Sequence, residues 1–218
     1  MGDQGVRARE ALLDAAEELF ARNGIDAVSN RRIVDRAGAA NHSAVAYHFG
    51  GREGLLRALV LRHQDELSRR RRELVAELSE SPNIHELVTC RLRPLFELLD
   101  SLPTPRWRAQ FLSQVAAAPS AVAVAKEAIG EADLPDSLRF INGEVNGIPE
   151  KVLRGRAYLL GTMVIGVCAD QEAKMNEEAN QGSWEQVGRF LIDASAGMLG
   201  APVTDPDGAV RYPNVPLM

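Results

Sequence analysis

Three glycine breaks, at Gly24, Gly38 and Gly50-Gly51, divide the first sixty residues into pieces of helical length. Glycine takes a positive φ without penalty, so it commonly closes a helix just past its last turn. Between the breaks, apolar residues recur every three or four positions. Leu12, Ala16, Leu19 and Phe20 share one face of a first helix that Asn23-Gly24 closes. After Ile25 and Val28, Ser29 is placed to cap a second helix, whose Ile33, Val34 and Ala37 point one way before Gly38. A third fits within residues 42–49. A fourth opens at Arg52-Glu53 with Leu55, Leu56, Leu59 and Val60 apolar, and no breaker precedes Ser81-Pro82, so the expectation is one long helix to Ser79.

The rest of the chain continues in the same period. Amphipathic segments are expected at 84–101 (bent at Pro94), 105–118, 120–130, 150–178 and 184–199, with Ser183 and Gln186 spaced as a capping box for the last. Residues 132–149 are rich in turn formers and read as a long loop; Gly200 and Pro202 stop the final helix, and 201–218 reads as a flexible tail. No run alternates as strands do. The fold class is all-α, divided as 1–52, 53–200 and the tail 201–218.

Charge is unevenly spread along this frame. The net charge is −5, yet residues 1–72 hold 13 Arg against 10 acids (+3) and residues 73–218 hold 12 basic residues against 20 acids (−8). A mildly basic front on an acidic back suits a front that meets a polyanion. Cys90 and Cys168 are too few for a disulfide framework and are not spaced for metal. The most continuous apolar run, AYLLGTMVIGVCA (157–169), is shorter than the ~18 residues of a bilayer span. Asp14, Glu17 and Glu18 argue against a signal peptide, so a cytoplasmic protein with no membrane partner is expected.

NHSAVAYHFGGREG (41–54) carries the functional signal. His42 and His48 are six apart, on opposing sides of a helix, and His63 and His85 have no helical partner either, so no metal site is expected. Gly50-Gly51 lacks the Gly-Lys-Ser/Thr continuation of a phosphate loop. A helix-surface reading fits better. At 100° per residue Val45 and Phe49 face a core, leaving Ser43, Ala44 and Tyr47 outward with Ala46 and His48 on the flanks. Such a small, polar edge lets a helix enter a DNA major groove, with Asn41, His42 and Ser43 at the end that reads bases. Tyr47, His48 and Arg52 are suited to phosphate oxygens. The first three helices therefore read as a helix-turn-helix with a supporting helix.

Residues 10–60, through ALLDAAEELFARNG, SNRRIVDRAG and YHFGGREGLL, resemble the N-terminal domain of TetR-family transcriptional regulators. From Ala37-Gly38 to Tyr47-His48-Phe49 the chain is one residue longer than the commonest family pattern, so base contacts within 41–44 can be assigned in either of two registers. The resemblance implies that Ser29, Arg31, Tyr47, His48 and Arg52 contact phosphates while His42, Ser43, Ala44 and Ala46 line the groove. Arg31 also reads as a solvated helix residue and Ser29 as no more than a cap. RRRR at 69–72 points around the whole helix, and pairs such as Glu66–Arg70 and Arg69–Glu73 suit a solvated surface instead of a second DNA contact.

The apolar 157–169 run must be buried on more than one side, and Gly161, Gly166, Gly188 and Gly197 permit close helix approach. The resemblance implies a homodimer through the last two helices and a ligand cavity in the larger helical domain. Candidate lining residues are Phe96, Trp107, Phe111, Tyr158 and Met163, which read equally as ordinary core. Together these features describe a repressor released from a palindromic double-stranded DNA operator by an apolar or amphipathic effector. The alternatives are a back half that binds a protein partner, and an all-α enzyme on an apolar substrate. No catalytic constellation and no cofactor motif is present in the sequence.

Overall fold

A computed structural model describes residues 3–131, 148–177 and 182–205, all of it helix and connection. The helices are α1 (Asp3–Asn23), α2 (Asn30–Arg36), α3 (Ala44–Phe49), α4 (Arg52–Leu61), α5 (Gln64–Ala76), α6 (Ile84–Ser101), α7 (Arg108–Ala117), α8 (Pro119–Glu131), α9 (Glu150–Glu177) and α10 (Trp184–Gly200). Several ends follow the expected chemistry. Ser29 accepts from the Arg32 amide, and Ser183 accepts from the Gln186 amide, the Ser183 half of the expected box; the full reciprocal box is the one Asn83 and Glu86 form on α6, which the sequence reading did not name. α6 runs unbroken through Pro94. Most of the expected loop (132–147) and most of the expected tail (206–218) lie outside the described residues.

The long fourth helix does not form; α4 ends at Leu61 and α5 starts at Gln64. The cause is a residue from a distant helix. Arg108 of α7 donates from Nη1 to the Leu59 carbonyl (2.8 Å) and from Nη2 to the Val60 carbonyl (3.2 Å). Those oxygens would otherwise accept from His63 and Gln64 in a continuous helix. At the same break Arg62 reaches back to α1 and binds Glu10 (3.0 Å), Asp14 (2.6 Å) and Glu17 (3.2 Å). Glu17, nearly buried, accepts from Arg62 with one oxygen and from Arg108 with the other (3.1 Å).

Two apolar cores result. The first gathers Leu12, Phe20, Ile33, Val45, Leu55 and Leu59 from α1–α4, and it continues into Phe111 and Val115 of α7 and Ala121 and Ala125 of α8. The expected boundary at 52/53 therefore falls inside one cluster, because α4 supplies four of its residues. The second joins α6, α9 and α10 around Leu99, Val164, Trp184 and Leu191. There α10 lies so close to α6 that a Cβ on Gly188 would come within 2.8 Å of the Phe96 ring.

Polar groups from α9 tie these parts together. The buried Glu172 carboxylate accepts from the amides of Ala109 and Gln110 (both 3.0 Å), supplying from another helix the cap that the first turn of α7 lacks. Burial pushes this carboxyl above its usual range, against those hydrogen bonds. Arg156 donates to the carbonyls of Leu199 (2.8 Å) and Ala201 (2.7 Å), closing the C-terminus of α10. By length and composition Lys151–Glu177 is apolar enough to cross a membrane, which counting uninterrupted apolar residues did not anticipate; only 28% of its apolar window is buried within the chain.

His63 sits in the α4–α5 break, where burial first, and then the guanidiniums of Arg108 and Arg62, push its imidazole down to about 4. An unfolded histidine takes its proton near 6.5. The unfolded chain therefore binds this proton first as pH falls, so His63 withdraws stability from about pH 6.5 down to about pH 4 and contributes nothing above. Urea midpoints at pH 7.5 and pH 5.0 should drop further for the wild type than for His63→Gln; equal drops would refute this assignment.

Candidate DNA interface and effector cavity

α3 is a helix of six residues, too short to hold its own shape, and the surrounding contacts place it. Asn41 builds its first turn: the side-chain Oδ1 accepts from the Ser43 amide and the carbonyl from the Ala44 amide, both at 2.9 Å. Gly50, at φ 71, closes the other end by donating to the Ala46 carbonyl. α4 then starts against the end of α3 with no clearance, since a Cβ on Gly54 would lie 1.8 Å from the Phe49 carbonyl oxygen. Val45 is buried in the first core and Phe49 packs on its edge.

The outward edge carries most of the expected residues. Ser29, Arg31, Asn41, His42, Ser43, Ala46 and Tyr47 are exposed, Tyr47 at 80%. His48 is half-buried, with its ring edge-on to Tyr47 at 4.9 Å between centroids. Asp35 lies between two of the basic groups, 3.9 Å from Arg31 Nε and 3.8 Å from His42 Nδ1. α4 has no side-chain cap, so its first amides remain available to an anion on this side.

Two expected contacts are corrected. Ala44 is 8% exposed and belongs to the first core. The inward stripe of α3 is wider than Val45 and Phe49 alone, so this methyl faces the protein and not a groove. Arg52 is not a free phosphate donor either. Its guanidinium donates to the carbonyls of Val28 (2.6 Å) and Ile25 and lies over the Phe20 ring, 5.1 Å from its centroid. It therefore clamps the α1–α2 connection, whose carbonyls have no helix to bond within.

The five expected ligand residues do not converge. Phe111 belongs to the first core with Trp107 at its margin; Phe96 belongs to the second with Met163 at its margin; Tyr158 is half-buried on α9. None of the five lines the cavity that lies between α4, α5, α6, α7, α8 and α9, about 40 Å³ in volume. Its walls are apolar except for Gln64, Arg71, Arg91 and Arg108. The sequence places Arg71 in an arginine run that suits a solvated surface, yet it lines this cavity. That reading holds for Arg69, which pairs with Glu73, while Arg70 pairs with Glu97 (2.8 Å) and Glu73, not with Glu66. The one pointing inward could have been found, because four successive helical residues cannot all face water on a packed helix. Among the described residues no group of three or more His, Cys, Asp or Glu is placed to hold a metal ion.

Arg52→Ala should lower unfolding stability by about 2–3 kcal/mol through two charge-assisted bonds and a ring contact. Arg31→Ala, by contrast, should stay within about 0.5 kcal/mol of wild type. Urea denaturation of both separates scaffold from surface; an Arg52→Ala variant as stable as wild type would exclude the clamp.

Residues 12–59 match the family model for bacterial regulatory proteins of the tetR family. No curated protein matches the sequence. Among solved structures, one from Mesorhizobium loti MAFF303099, described as a TetR-family transcriptional regulator, aligns over 91% of this chain and 97% of its own at 20% identity and TM-score 0.50. Another so described, from Rhodococcus sp., aligns over 89% and 100% at 16% identity and TM-score 0.52. A transcriptional regulator from Pseudomonas aeruginosa PAO1 aligns over 88% and 89% at 18% identity and TM-score 0.53. Residues 12–59 thus carry the N-terminal domain of the tetR family, and the chain has the fold of TetR-family transcriptional regulators.

Proposed function

We propose that this chain is a homodimeric, cytoplasmic repressor that binds a roughly palindromic DNA operator and is released by a small-molecule effector. The observation that carries the reading is the α3 edge, where Ser43, Ala46 and Tyr47 stand exposed on a helix whose other side is locked into a core. Ser43, His42 and the Asn41 amide would meet base edges, Ala46 would let the helix approach closely, and Ser29, Arg31, Tyr47 and His48 would meet phosphates. With Ala44 turned inward, of the residues 41–44 only 41–43 remain as base readers.

A single six-residue reader makes too few contacts for a specific site, and two would sit roughly 34–36 Å apart in successive major grooves. The last two helices supply a surface for pairing. Leu159, Val167 and Phe190 are exposed there, Phe190 at 70%, and Gly166 and Gly197 have open space where a Cβ would stand. Large apolar side chains beside bare glycines suit close packing by a second copy. A cavity walled by eight apolar residues, with Gln64, Arg71, Arg91 and Arg108 as its polar groups, favours an effector over a back half that only binds protein.

Duplexes selected from a random pool by the purified chain should be roughly palindromic, and affinity should fall steeply with salt. Tyr47→Ala should weaken all duplexes about alike, while Ser43→Phe should change which are selected; unchanged preferences in Ser43→Phe would rule out this edge as the reader. Phe190→Asp should yield monomers by light scattering and weaken operator binding, and a dimer that survives it would place the interface elsewhere.

A further inference from the structure

The cavity behind α4 holds more positive charge than its surroundings satisfy. Arg108 is matched by Glu17, but Arg71 and Arg91 face the same apolar space, and among the described residues no carboxylate lines it. Among the described residues Arg71 makes a long hydrogen bond (3.4 Å) from Nε to the Arg91 carbonyl. Arg91 Nη1 and Arg108 Nε are enclosed by the protein and have no hydrogen-bond partner among the described residues. Burial pulls the Arg71 guanidinium down to about 10, and burial together with the charge of Arg71 lowers that of Arg91. A desolvated guanidinium without a partner is unfavourable, and its planar fork matches a carboxylate held by two parallel bonds.

We propose that this cavity is the effector site and that its ligand is a small organic carboxylate, gripped by Arg71 and Arg91 with its apolar body against Leu67, Leu95 and Leu112. The proposal rests on the reading of the back half as effector-binding, and it names the ligand class. By the volume a buried water occupies, about 40 Å³ has room for roughly three waters. The head group fits as the cavity stands, and a longer body needs the helices that wall it to move apart. Arg108 lines the same wall and holds the end of α4, so this parting acts where the DNA-reading half is fastened.

The test uses the full chain without DNA, by thermal denaturation and titration calorimetry at matched ionic strength. Sodium hexanoate and sodium benzoate should raise the melting temperature, whereas hexanamide, hexan-1-ol and sodium phosphate should not. Arg91→Met should melt higher than wild type when unliganded, since it removes a buried uncompensated charge, and should bind the carboxylates at least about tenfold more weakly. Arg71→Met should show the same weakening, which keeps the test open if Arg91→Met fails to fold. Equal shifts from hexanoate and hexanamide, a shift from phosphate as large as that from hexanoate, or undiminished binding in a folded variant would overturn the site. A carboxylate that stabilises the chain yet leaves operator binding unchanged would overturn the release reading and leave the site standing.

Discussion

Arg108 is the residue on which the arrangement turns. It is 3% exposed, and its guanidinium satisfies the Glu17 carboxylate of α1 and the last carbonyls of α4 at once. A buried ion pair of this kind costs desolvation on both sides and is held only where further hydrogen bonds complete it. Here those further acceptors are backbone oxygens, so the interaction also determines where α4 stops. Truncating Arg108 would leave Glu17 with only Arg62 and would expose the α4 end to the apolar core, and α1, α4 and α7 would lose their common fastening.

The same residue joins the two halves. α4 packs its apolar face into the core that supports α3, while its C-terminus is gripped by a side chain that also lines the cavity. Glu172 of α9 caps the first turn of α7 on the other side of Arg108. A change in the cavity therefore meets few soft elements before it reaches the α1–α4 cluster. Interiors packed this closely transmit displacement instead of absorbing it.

How much of this was legible depends on where each cause lies in the sequence. Gly24, Gly38, Gly50, Ser29 and the Ser183–Gln186 pair act within a turn of themselves, and the helix ends they mark are where they should be. The exposed edge of α3 followed from helical period alone, except at Ala44, where the angular width of the inward stripe was underestimated. What was not legible is the work of arginines on partners far along the chain. The α4–α5 break is made by Arg108, some 48 residues beyond the carbonyls it takes, and Arg52 is withdrawn from the surface by carbonyls 24 and 27 residues earlier. An arginine carries no local sign of whether it will meet water, a helix end or a cavity.

The absence of clearance between Gly54 and the Phe49 carbonyl has a mechanical result. A tilt of α4 therefore presses directly on the α3 backbone, with no side chain at Gly54 between them to take it up. α4 spans ten residues, about 15 Å at 1.5 Å per residue, with α3 at one end and the Arg108 grip at the other. A displacement at the gripped end thus has one short helix to cross before it meets α3.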